Sequence, residues 1–239
     1  MNKNELENIQ WKIRLAVQRL HKKYYKCPHI FITESDIKCM LYSELLSGFS
    51  KKSCVNSLDR NGERLDDWDY GVVTIPLHSE MATRERKRGE FVDLCILDIS
   101  KSKIYIQKTK FSRSERSFPY EEWWWYPKDL VGIEIKHNIG ISKKKVYNWK
   151  SKRKRYTKNW EYLKSILIKD LKKLKKYKRG WLIFIDNHSL IENKKAWKTF
   201  LDELIRKSNY GYMKKTLNAY YLCPGQKRAL SYKSWDKAF

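Results

Sequence analysis

The sequence lacks several features that define other classes of protein. Its 239 residues include only 9 Gly and 5 Pro, with no flexible linker, and no apolar run approaches the about 18 residues of a membrane-spanning helix. Its five cysteines form no CxxC pair and have no histidine nearby at zinc-finger spacing. The N-terminus is polar rather than a charged stub before an apolar core. We therefore expect an intracellular, cytoplasmic protein with reduced thiols, neither membrane-spanning nor secreted.

Acidic residues are also scarce, and this points to a polyanionic partner. The chain has 52 Lys and Arg against 27 Asp and Glu, a formal net charge of +25, which excludes an acidic solvating protein. Residues 143–179 alone hold 17 basic residues against two acidic ones, a net of +15. Such a stretch is a candidate for following the phosphates of a nucleic acid. With 41% hydrophobic residues the chain can bury a core, and its length fits a single domain, residues 1–239.

Hydrophobic periodicity predicts the order of helices and strands. Apolar residues recur three or four apart in helices and alternate in strands. The expected helices are residues 5–25, a helix starting at Thr33, 161–177 and 194–207. The expected strands are residues 72–77, 91–98, 103–107, 130–136, 181–185 and 217–222, and the strand at 103–107 is expected to be a shorter neighbour of that at 91–98. Residues 47–69 are expected to be irregular. This order indicates an α/β protein with one parallel crossover.

Two apolar segments carry charged residues in their interiors. Asp93 lies in GEFVDLCIL, and Glu134 and Lys136 lie in LVGIEIKHN. Charged side chains inside apolar strands are unfavourable unless they are paired or bind a metal ion. Because side chains alternate along a strand, Glu134 and Lys136 share one face, about 7 Å apart, and Ile135 points to the other.

The same residues allow two interpretations. If Asp93 lies on an adjacent strand, its carboxylate and that of Glu134 converge on one point, which suits a hard cation such as Mg²⁺. Lys136 would then stand beside an attacking water and its phosphate. The alternative is a half-buried ion pair between Glu134 and Lys136, with Asp93 capping a neighbour, because charged clusters are also structural.

An Asp in one strand and Glu-x-Lys in a following strand, both flanked by apolar residues, resemble the PD-(D/E)XK nuclease superfamily, also called restriction-endonuclease-like. The resemblance covers residues 33–187, in the order helix, three strands, basic helix, strand. It implies an αβββαβ core at residues 31–190, with a mixed central sheet flanked by helices. Residues 1–30 would be an N-terminal helical extension and 191–239 a C-terminal helix and strand. The long gap between Asp93 and Glu134 implies an insertion between residues 100 and 130.

The resemblance also implies roles for individual residues. Asp93 corresponds to the metal-binding aspartate, Glu134 to the second acidic ligand and Lys136 to the catalytic lysine, and the main-chain carbonyl of Ile135 is the usual additional ligand. The implied cofactor is Mg²⁺ or Mn²⁺. Many members add a glutamate from the first core helix to the metal shell. Here Glu34 is the preferred candidate, and Glu44 is the second choice.

Other polar residues near these segments have two interpretations each. His78 and Glu80 follow the first strand and either approach the metal or form a turn, and we keep Glu80 among the metal ligands. His137 and Asn138 either reach phosphate or water or form the solvated end of the strand. The residues Asp186, Asn187 and His188 are expected to form a turn with Asx hydrogen bonding.

The basic stretch interleaves aromatic residues with cations, which suits a nucleic-acid backbone. The candidate nucleic-acid-binding residues are Lys143, Lys144, Lys145, Trp149, Lys150, Lys152, Arg153, Lys154, Arg155 and Tyr156. We expect a metal-dependent nuclease that hydrolyses phosphodiester bonds, with DNA as the expected partner and a homodimer implied by resemblance. The alternatives are a catalytically inactive nuclease-fold protein that binds nucleic acid, and a basic RNA-binding protein without metal dependence.

Overall fold

The structure is a computed structural model that describes residues 3–27, 33–50, 53–58, 72–74, 76–79, 92–98, 103–109, 120–126, 129–138, 151–209 and 215–232. For residues 53–58, 72–74, 103–109, 120–126, 129–130 and 151–159 the structure describes the backbone only and not the side chains. The elements in chain order are α1 (Lys3–Lys26), α2 (Glu34–Phe49), β1 (Ser53–Leu58), β2 (Val72–Thr74), β3 (Leu77–Ser79), β4 (Leu94–Leu97), β5 (Lys103–Thr109), β6 (Tyr120–Tyr126), β7 (Asp129–Asn138), α3 (Ser151–Leu174), β8 (Arg179–Asp186), α4 (Lys194–Lys207), β9 (Leu217–Leu222) and β10 (Leu230–Ser231). None of these described helices is both long and apolar enough to cross a membrane.

Six strands form the main sheet, in the order β10-β9-β8-β7-β4-β3. β7, β8 and β9 run parallel, whereas β3, β4 and β10 pair antiparallel with their neighbours. α3 connects β7 to β8 and α4 connects β8 to β9, because parallel neighbours need a crossover connection. The prediction of an α/β protein with a mixed sheet flanked by helices is confirmed, but this sheet contains two parallel crossovers rather than one.

Helices cover the two faces of this sheet. Ile133 and Ile135 of β7 pack in one buried cluster with the apolar residues of α1 and α2. Leu182 and Phe184 of β8 pack in a second cluster with α3 and α4. Since side chains alternate along a strand, Glu134 points away from the α1 and α2 layer, towards the layer that contains α3. The charged residue between two isoleucines is thereby placed against the basic helix.

The start of α2 follows from its sequence. The Thr33 side chain accepts from the backbone N–H of Asp36 at 3.2 Å, and the Asp36 carboxylate accepts from the backbone N–H of Thr33 at 2.7 Å. This reciprocal capping box satisfies backbone donors that the first helical turn leaves unpaired. Ile37, Leu41 and Leu45 form the buried stripe. Glu34 is therefore held in the first turn of a well-anchored helix.

Four strands form a second sheet that the sequence-based prediction misses in part. Its order is β2-β1-β5-β6, with β1 and β5 parallel. The expectation of irregular structure over residues 47–69 is wrong for the end of α2 and for β1. β5 does not neighbour β4 as expected but pairs with β1 and β6. β1 and β6 fall in segments where strongly polar or aromatic runs obscure the period of two.

Other boundaries also differ from the prediction. The strand expected at residues 91–98 is β4, Leu94–Leu97, so Asp93 lies just before the strand and not inside it. The expected strand at residues 72–77 is split into β2 and β3, with Pro76 directly before β3. Proline has no N–H to give to a ladder, although the carbonyl of Pro76 accepts from the N–H of Leu97 at 2.9 Å. The basic helix begins at Ser151 rather than near residue 161. Five of the nine residues 151–159 are lysine or arginine, so these turns lack the apolar stripe on which the prediction depended.

β7 passes so close to the ring of Tyr177 that position 132 accommodates glycine only. A Cβ atom on Gly132 would lie 2.6 Å from Cδ2 of Tyr177, whose side chain is buried. We therefore expect Gly132→Ala to lower the free energy of unfolding by about 1–3 kcal/mol, the usual cost of overpacking a core. Urea denaturation measures this change.

Gly48→Ala in α2 is the matched control. A Cβ atom there would meet the flexible side chain of Lys12, 3.2 Å from its Cδ atom. Because alanine favours a helix over glycine by up to about 1 kcal/mol, we expect no substantial loss of stability. Equal destabilisation of the two variants would contradict the close packing of β7 against Tyr177.

Candidate functional site

The two motif segments meet where β4 begins beside β7. Asp93 directly precedes β4, which pairs antiparallel with β7. Oδ2 of Asp93 accepts a hydrogen bond from the backbone N–H of Ile135 at 2.7 Å. Its other oxygen, Oδ1, lies 3.5 Å from Nζ of Lys38 in α2. The Asp93 carboxylate is therefore fixed beside the backbone that joins Glu134 to Lys136.

Glu134 is a buried carboxylate with a lysine beside it. The residue is only 3% exposed, and its Oε1 lies 2.9 Å from Nζ of Lys173 in α3. Burial raises the pKa of Glu134 to about 9, and the negative charges of Asp170 and Asp93 act in the same direction, against the ammonium of Lys173. Glu134 is thus held close to two other carboxylates in a region of low dielectric.

Asp170 is the carboxylate of this cluster that the sequence-based prediction misses, together with the lysines Lys38 and Lys173. It is 5% exposed, and its Oδ1 lies 3.3 Å from Nζ of Lys173, one helical turn away in α3. Burial raises the pKa of Asp170, although the charges of Lys173 and Lys136 oppose the shift. A signal was present in the sequence, because Asp170 lies three residues after Leu167 and four before Leu174, both on the buried face of the helix.

Lys136 and Glu34 form a direct ion pair. Nζ of Lys136 lies 2.8 Å and 3.1 Å from the two carboxylate oxygens of Glu34, and the backbone N–H of His137 donates to Oε2 at 3.3 Å. Burial acts to lower the pKa of Lys136, but the hydrogen bond and charge of Glu34, with the charges of Asp170 and Asp93, raise it overall. The interpretation in which Lys136 pairs with Glu134 is therefore wrong, because each residue has a different partner.

The second candidate on α2 lies away from this cluster. Oε1 of Glu44 is 2.6 Å from Nζ of Lys23, and Oε2 is 3.7 Å from the Arg19 guanidinium, both in α1. Of the two glutamates considered from the sequence, the structure therefore brings Glu34 and not Glu44 to the motif residues. The difference follows from the helix geometry, since ten residues separate the two side chains along α2.

The chemistry of the cluster fits a hard cation. Within the described part of the chain, Oε1 of Glu134 and Oδ2 of Asp170 are buried and accept no well-directed hydrogen bond. Among the same residues no group of three or more His, Cys, Asp or Glu side chains is arranged to hold a metal ion. Mg²⁺ needs only one or two carboxylates together with water and phosphate oxygens. Asp93 and Glu134 would supply two carboxylates of this kind, and in this structure they face the ammonium groups of Lys38 and Lys173.

The two residues after Lys136 are buried and belong to a hydrogen-bond network. His137 is 9% and Asn138 is 4% exposed, so the interpretation of a solvated strand end is wrong. Nε2 of His137 lies 3.1 Å from Oδ1 of Asn187, and Nδ2 of Asn138 donates to Oδ1 of Asp186 at 3.0 Å. These contacts join the adjacent ends of β7 and β8.

Asp186 forms the turn that the sequence predicts. Its Oδ1 accepts from the backbone N–H of His188 at 3.0 Å, and its Oδ2 accepts from that of Leu190 at 2.6 Å. The hydroxyl of Tyr221 also donates to Oδ2, at 2.6 Å. The Asx turn is confirmed, and Asp186 stabilises the connection after β8.

Several predicted site residues lie either away from the cluster or outside the residues that the structure describes. Glu80 lies outside the described residues. His78 lies in β3 opposite Cys95, so β4 separates it from β7. Of the candidate nucleic-acid-binding residues, Lys143, Lys144, Lys145, Trp149 and Lys150 lie outside the described residues. The backbone of Lys152, Arg153, Lys154, Arg155 and Tyr156 forms the first turns of α3, and their side chains lie outside the described part.

Comparisons with known proteins give no relative for this chain. No protein-family model, no curated protein and no solved structure matches it. The functional argument therefore depends on the geometry and charge of the site itself.

Proposed function

We propose that this chain is a Mg²⁺-dependent nuclease of the PD-(D/E)XK, restriction-endonuclease-like type, which hydrolyses phosphodiester bonds in DNA. The observation that carries the proposal is the hydrogen bond from the Ile135 N–H to Asp93, because it joins the aspartate to the Glu-x-Lys segment. A buried Glu134 and an ammonium at Lys136 flank that contact. Two acids and a lysine around one backbone position are groups that metal-assisted phosphodiester hydrolysis can use, the acids to hold the ion and the lysine to stabilise charge.

The order of elements supports the same proposal. α2, β3, β4, β7, α3 and β8 occur in the order helix, three strands, helix and strand, with β1 and β2 inserted between α2 and β3, and β5 and β6 inserted between β4 and β7. In the sheet, β3, β4, β7 and β8 are successive neighbours. This is the αβββαβ order that the sequence resemblance implies. Because fold alone does not determine activity, the proposal depends on the site and not on the order of elements.

Each residue has a role in the proposed reaction. Asp93, Glu134 and the carbonyl of Ile135 would hold Mg²⁺ or Mn²⁺, which supplies positive charge at the phosphate and lowers the pKa of an attacking water. Lys136 presents an ammonium that orients this water and offsets the charge that develops on the phosphate. Glu34 contacts that ammonium through both carboxylate oxygens and so restricts its position. Glu34 therefore acts through Lys136.

The charge of the chain supports a nucleic acid as substrate. The net charge is +25, and the first turns of α3, residues 151–159, carry five lysines and arginines within nine residues. α3 also supplies Asp170 and Lys173 to the cluster around Glu134. The first turns of α3 lie about 16–29 Å along the helix from Asp170, so a nucleic-acid backbone that follows α3 would extend from these cations to the proposed cleavage site. Clustered cations that neutralise phosphates release counterions on binding.

Binding of DNA should therefore weaken steeply with salt. We expect the affinity for a labelled duplex to fall by at least about 100-fold between about 50 and 200 mM salt. Replacing Arg153 and Arg155 by Gln should reduce the slope of log affinity against log salt by about 2. Fluorescence anisotropy with Ca²⁺ in place of Mg²⁺ measures both effects.

Substitution of two exposed lysines of α1, Lys22 and Lys26, by Gln is the matched control for this measurement. It removes the same amount of charge from a different helix, and we expect the salt slope to stay near that of the wild type. A wild-type affinity that does not change with salt would contradict the assignment of α3 to the nucleic-acid backbone.

A substrate panel tests the proposed function. The wild-type chain is incubated with labelled single-stranded, duplex and branched DNA and with RNA, each with Mg²⁺, Mn²⁺ or EDTA. We expect cleavage of DNA with either metal ion and none with EDTA. Binding without cleavage under every condition would instead favour an inactive nuclease fold, and metal-independent binding of RNA alone would favour an RNA-binding protein.

A further inference from the structure

The position that a metal ion would take at Glu134 already has a positive charge beside it. Nζ of Lys173 lies 2.9 Å from Oε1 of Glu134, and this carboxylate is 3% exposed. A divalent cation bound by the same oxygen would be brought next to the ammonium, and like charges in a buried site repel strongly. Mg²⁺ and Lys173 therefore compete for one carboxylate.

Lys173 has a second carboxylate within reach. Oδ1 of Asp170 lies 3.3 Å from its Nζ, and Oδ2 of Asp170 is buried without a hydrogen-bond partner among the described residues. Asp170 is 5% exposed, so its buried carboxylate already relies on the ammonium of Lys173 and would favour a closer contact with it. The Lys173 side chain is 25% exposed, which leaves its long aliphatic stem room to change rotamer.

The other lysines of the cluster have different carboxylates. Lys136 contacts Glu34, and Lys38 lies 3.5 Å from Asp93. Four carboxylates thus face three ammonium groups, and Lys173 is the one placed between two buried carboxylates. A move from Glu134 to Asp170 would vacate the metal-binding oxygen without leaving the ammonium unpaired.

We propose that Lys173 is an internal counter-ion that bridges Glu134 and Asp170 in the metal-free protein, and that it gives up Glu134 and keeps Asp170 when Mg²⁺ binds. The inference rests on the proposed function, because that function places Mg²⁺ at Glu134. Displacing Lys173 from Glu134 would then weaken metal binding. Asp170 has the role of retaining the displaced ammonium, which it already contacts.

Calorimetric titration of the full chain with Mg²⁺ alone tests the inference without any nucleic acid. The buffer is held at about pH 9, the raised pKa of Glu134, because protons compete with metal ions for this carboxylate at lower pH. We expect Lys173→Met to bind Mg²⁺ about tenfold more tightly than the wild type, because the competing charge is gone. Lys173→Gln keeps a donor for Glu134 and should show the same direction of change. Lys172→Met, an exposed neighbour on α3, removes an equal charge and should leave the affinity unchanged.

The role of Asp170 is tested by a double-mutant cycle in the same titration. Asp170→Asn should weaken Mg²⁺ binding more in the wild-type background than in Lys173→Met, because its effect passes through the ammonium. Equal effects in the two backgrounds would overturn the assignment of Asp170. Circular dichroism spectra of all variants verify that they are folded before the affinities are compared.

The outcomes separate this inference from the proposed function. If the wild type binds Mg²⁺ and cleaves DNA, yet both Lys173 variants bind Mg²⁺ no more tightly, the counter-ion role is wrong and the nuclease proposal stands. If neither the wild type nor any variant binds Mg²⁺, both are wrong. Mg²⁺ binding that is tighter in both Lys173 variants, with Lys172→Met unchanged, supports the inference.

Discussion

Asp93→Asn and Glu134→Gln should each reduce Mg²⁺-dependent cleavage of DNA by at least about 100-fold. Replacing a residue that only hydrogen-bonds a metal ligand already lowers metal affinity or activity by about 10–100-fold, and replacing a ligand itself should lower it further. Both substitutions keep the shape of the side chain. The amide introduced by Asp93→Asn still has an oxygen that can accept the Ile135 N–H, which the Asp93 carboxylate accepts at 2.7 Å. The side chain introduced by Glu134→Gln carries no charge that burial would disfavour. The loss should therefore arise from chemistry and not from unfolding.

Single-turnover cleavage rates measure this effect, and thermal melting without metal verifies the fold. The matched control is Glu44→Gln, which removes a carboxylate from the same helix as Glu34 but from an ion pair with Lys23. We expect this control to cleave at nearly the wild-type rate. Full activity in Asp93→Asn would contradict the role of Asp93 as a metal ligand, and loss of activity in Glu44→Gln would reopen the choice between the two glutamates.

The second large effect concerns Lys136. Lys136→Met removes the ammonium that contacts Glu34 but keeps most of the aliphatic volume. We expect the cleavage rate to fall by about 100–1000-fold, the cost of removing one preorganised group that stabilises charge in a transition state. Binding of Mg²⁺ should persist, because its proposed ligands remain. Single-turnover kinetics and a thermal shift on addition of Mg²⁺ measure the two properties separately.

Lys22→Met on the exposed face of α1 is the control for Lys136→Met, since it removes one positive charge at a position distant in sequence from the Glu-x-Lys segment. It should retain the wild-type rate. Glu34→Gln provides a second comparison, because it leaves the ammonium in place but weakens its anchor. We expect a smaller loss than in Lys136→Met. A loss in Glu34→Gln larger than that in Lys136→Met would indicate that Glu34 acts directly on the metal rather than through the lysine.

The periodic segments of the chain are predictable from its sequence. α1, α4 and β9 occur where the apolar spacing predicts them, and the Thr33 capping box determines the start of α2. β1 and β6 are missed because their side chains show no simple alternation. The start of α3 is missed for a related reason, since a helical turn made only of cations has no apolar face. Strand partners such as β1 and β5 depend on tertiary context that a local pattern does not contain.

The candidate site is predictable in part. Charged residues inside apolar segments identify Asp93, Glu134 and Lys136 without any structure, because such placement demands a partner, although Asp93 precedes β4 rather than lying within it. The identity of the partners is a different matter. Lys173 and Asp170 approach Glu134 from α3, and neither lies near the motif in the sequence. Only the crossover from β7 through α3 to β8 brings them there, so their contribution follows from topology rather than from spacing.

The most direct test of the proposed function is the single-turnover cleavage rate of one labelled DNA duplex by the wild type and by Asp93→Asn, with Mg²⁺ added last to preformed complexes. The proposal predicts that cutting by the wild type begins on addition of Mg²⁺ and that Asp93→Asn binds the duplex but leaves it intact. A duplex that the wild type binds and does not cut with either Mg²⁺ or Mn²⁺, or one that both proteins cut at the same rate, would contradict it.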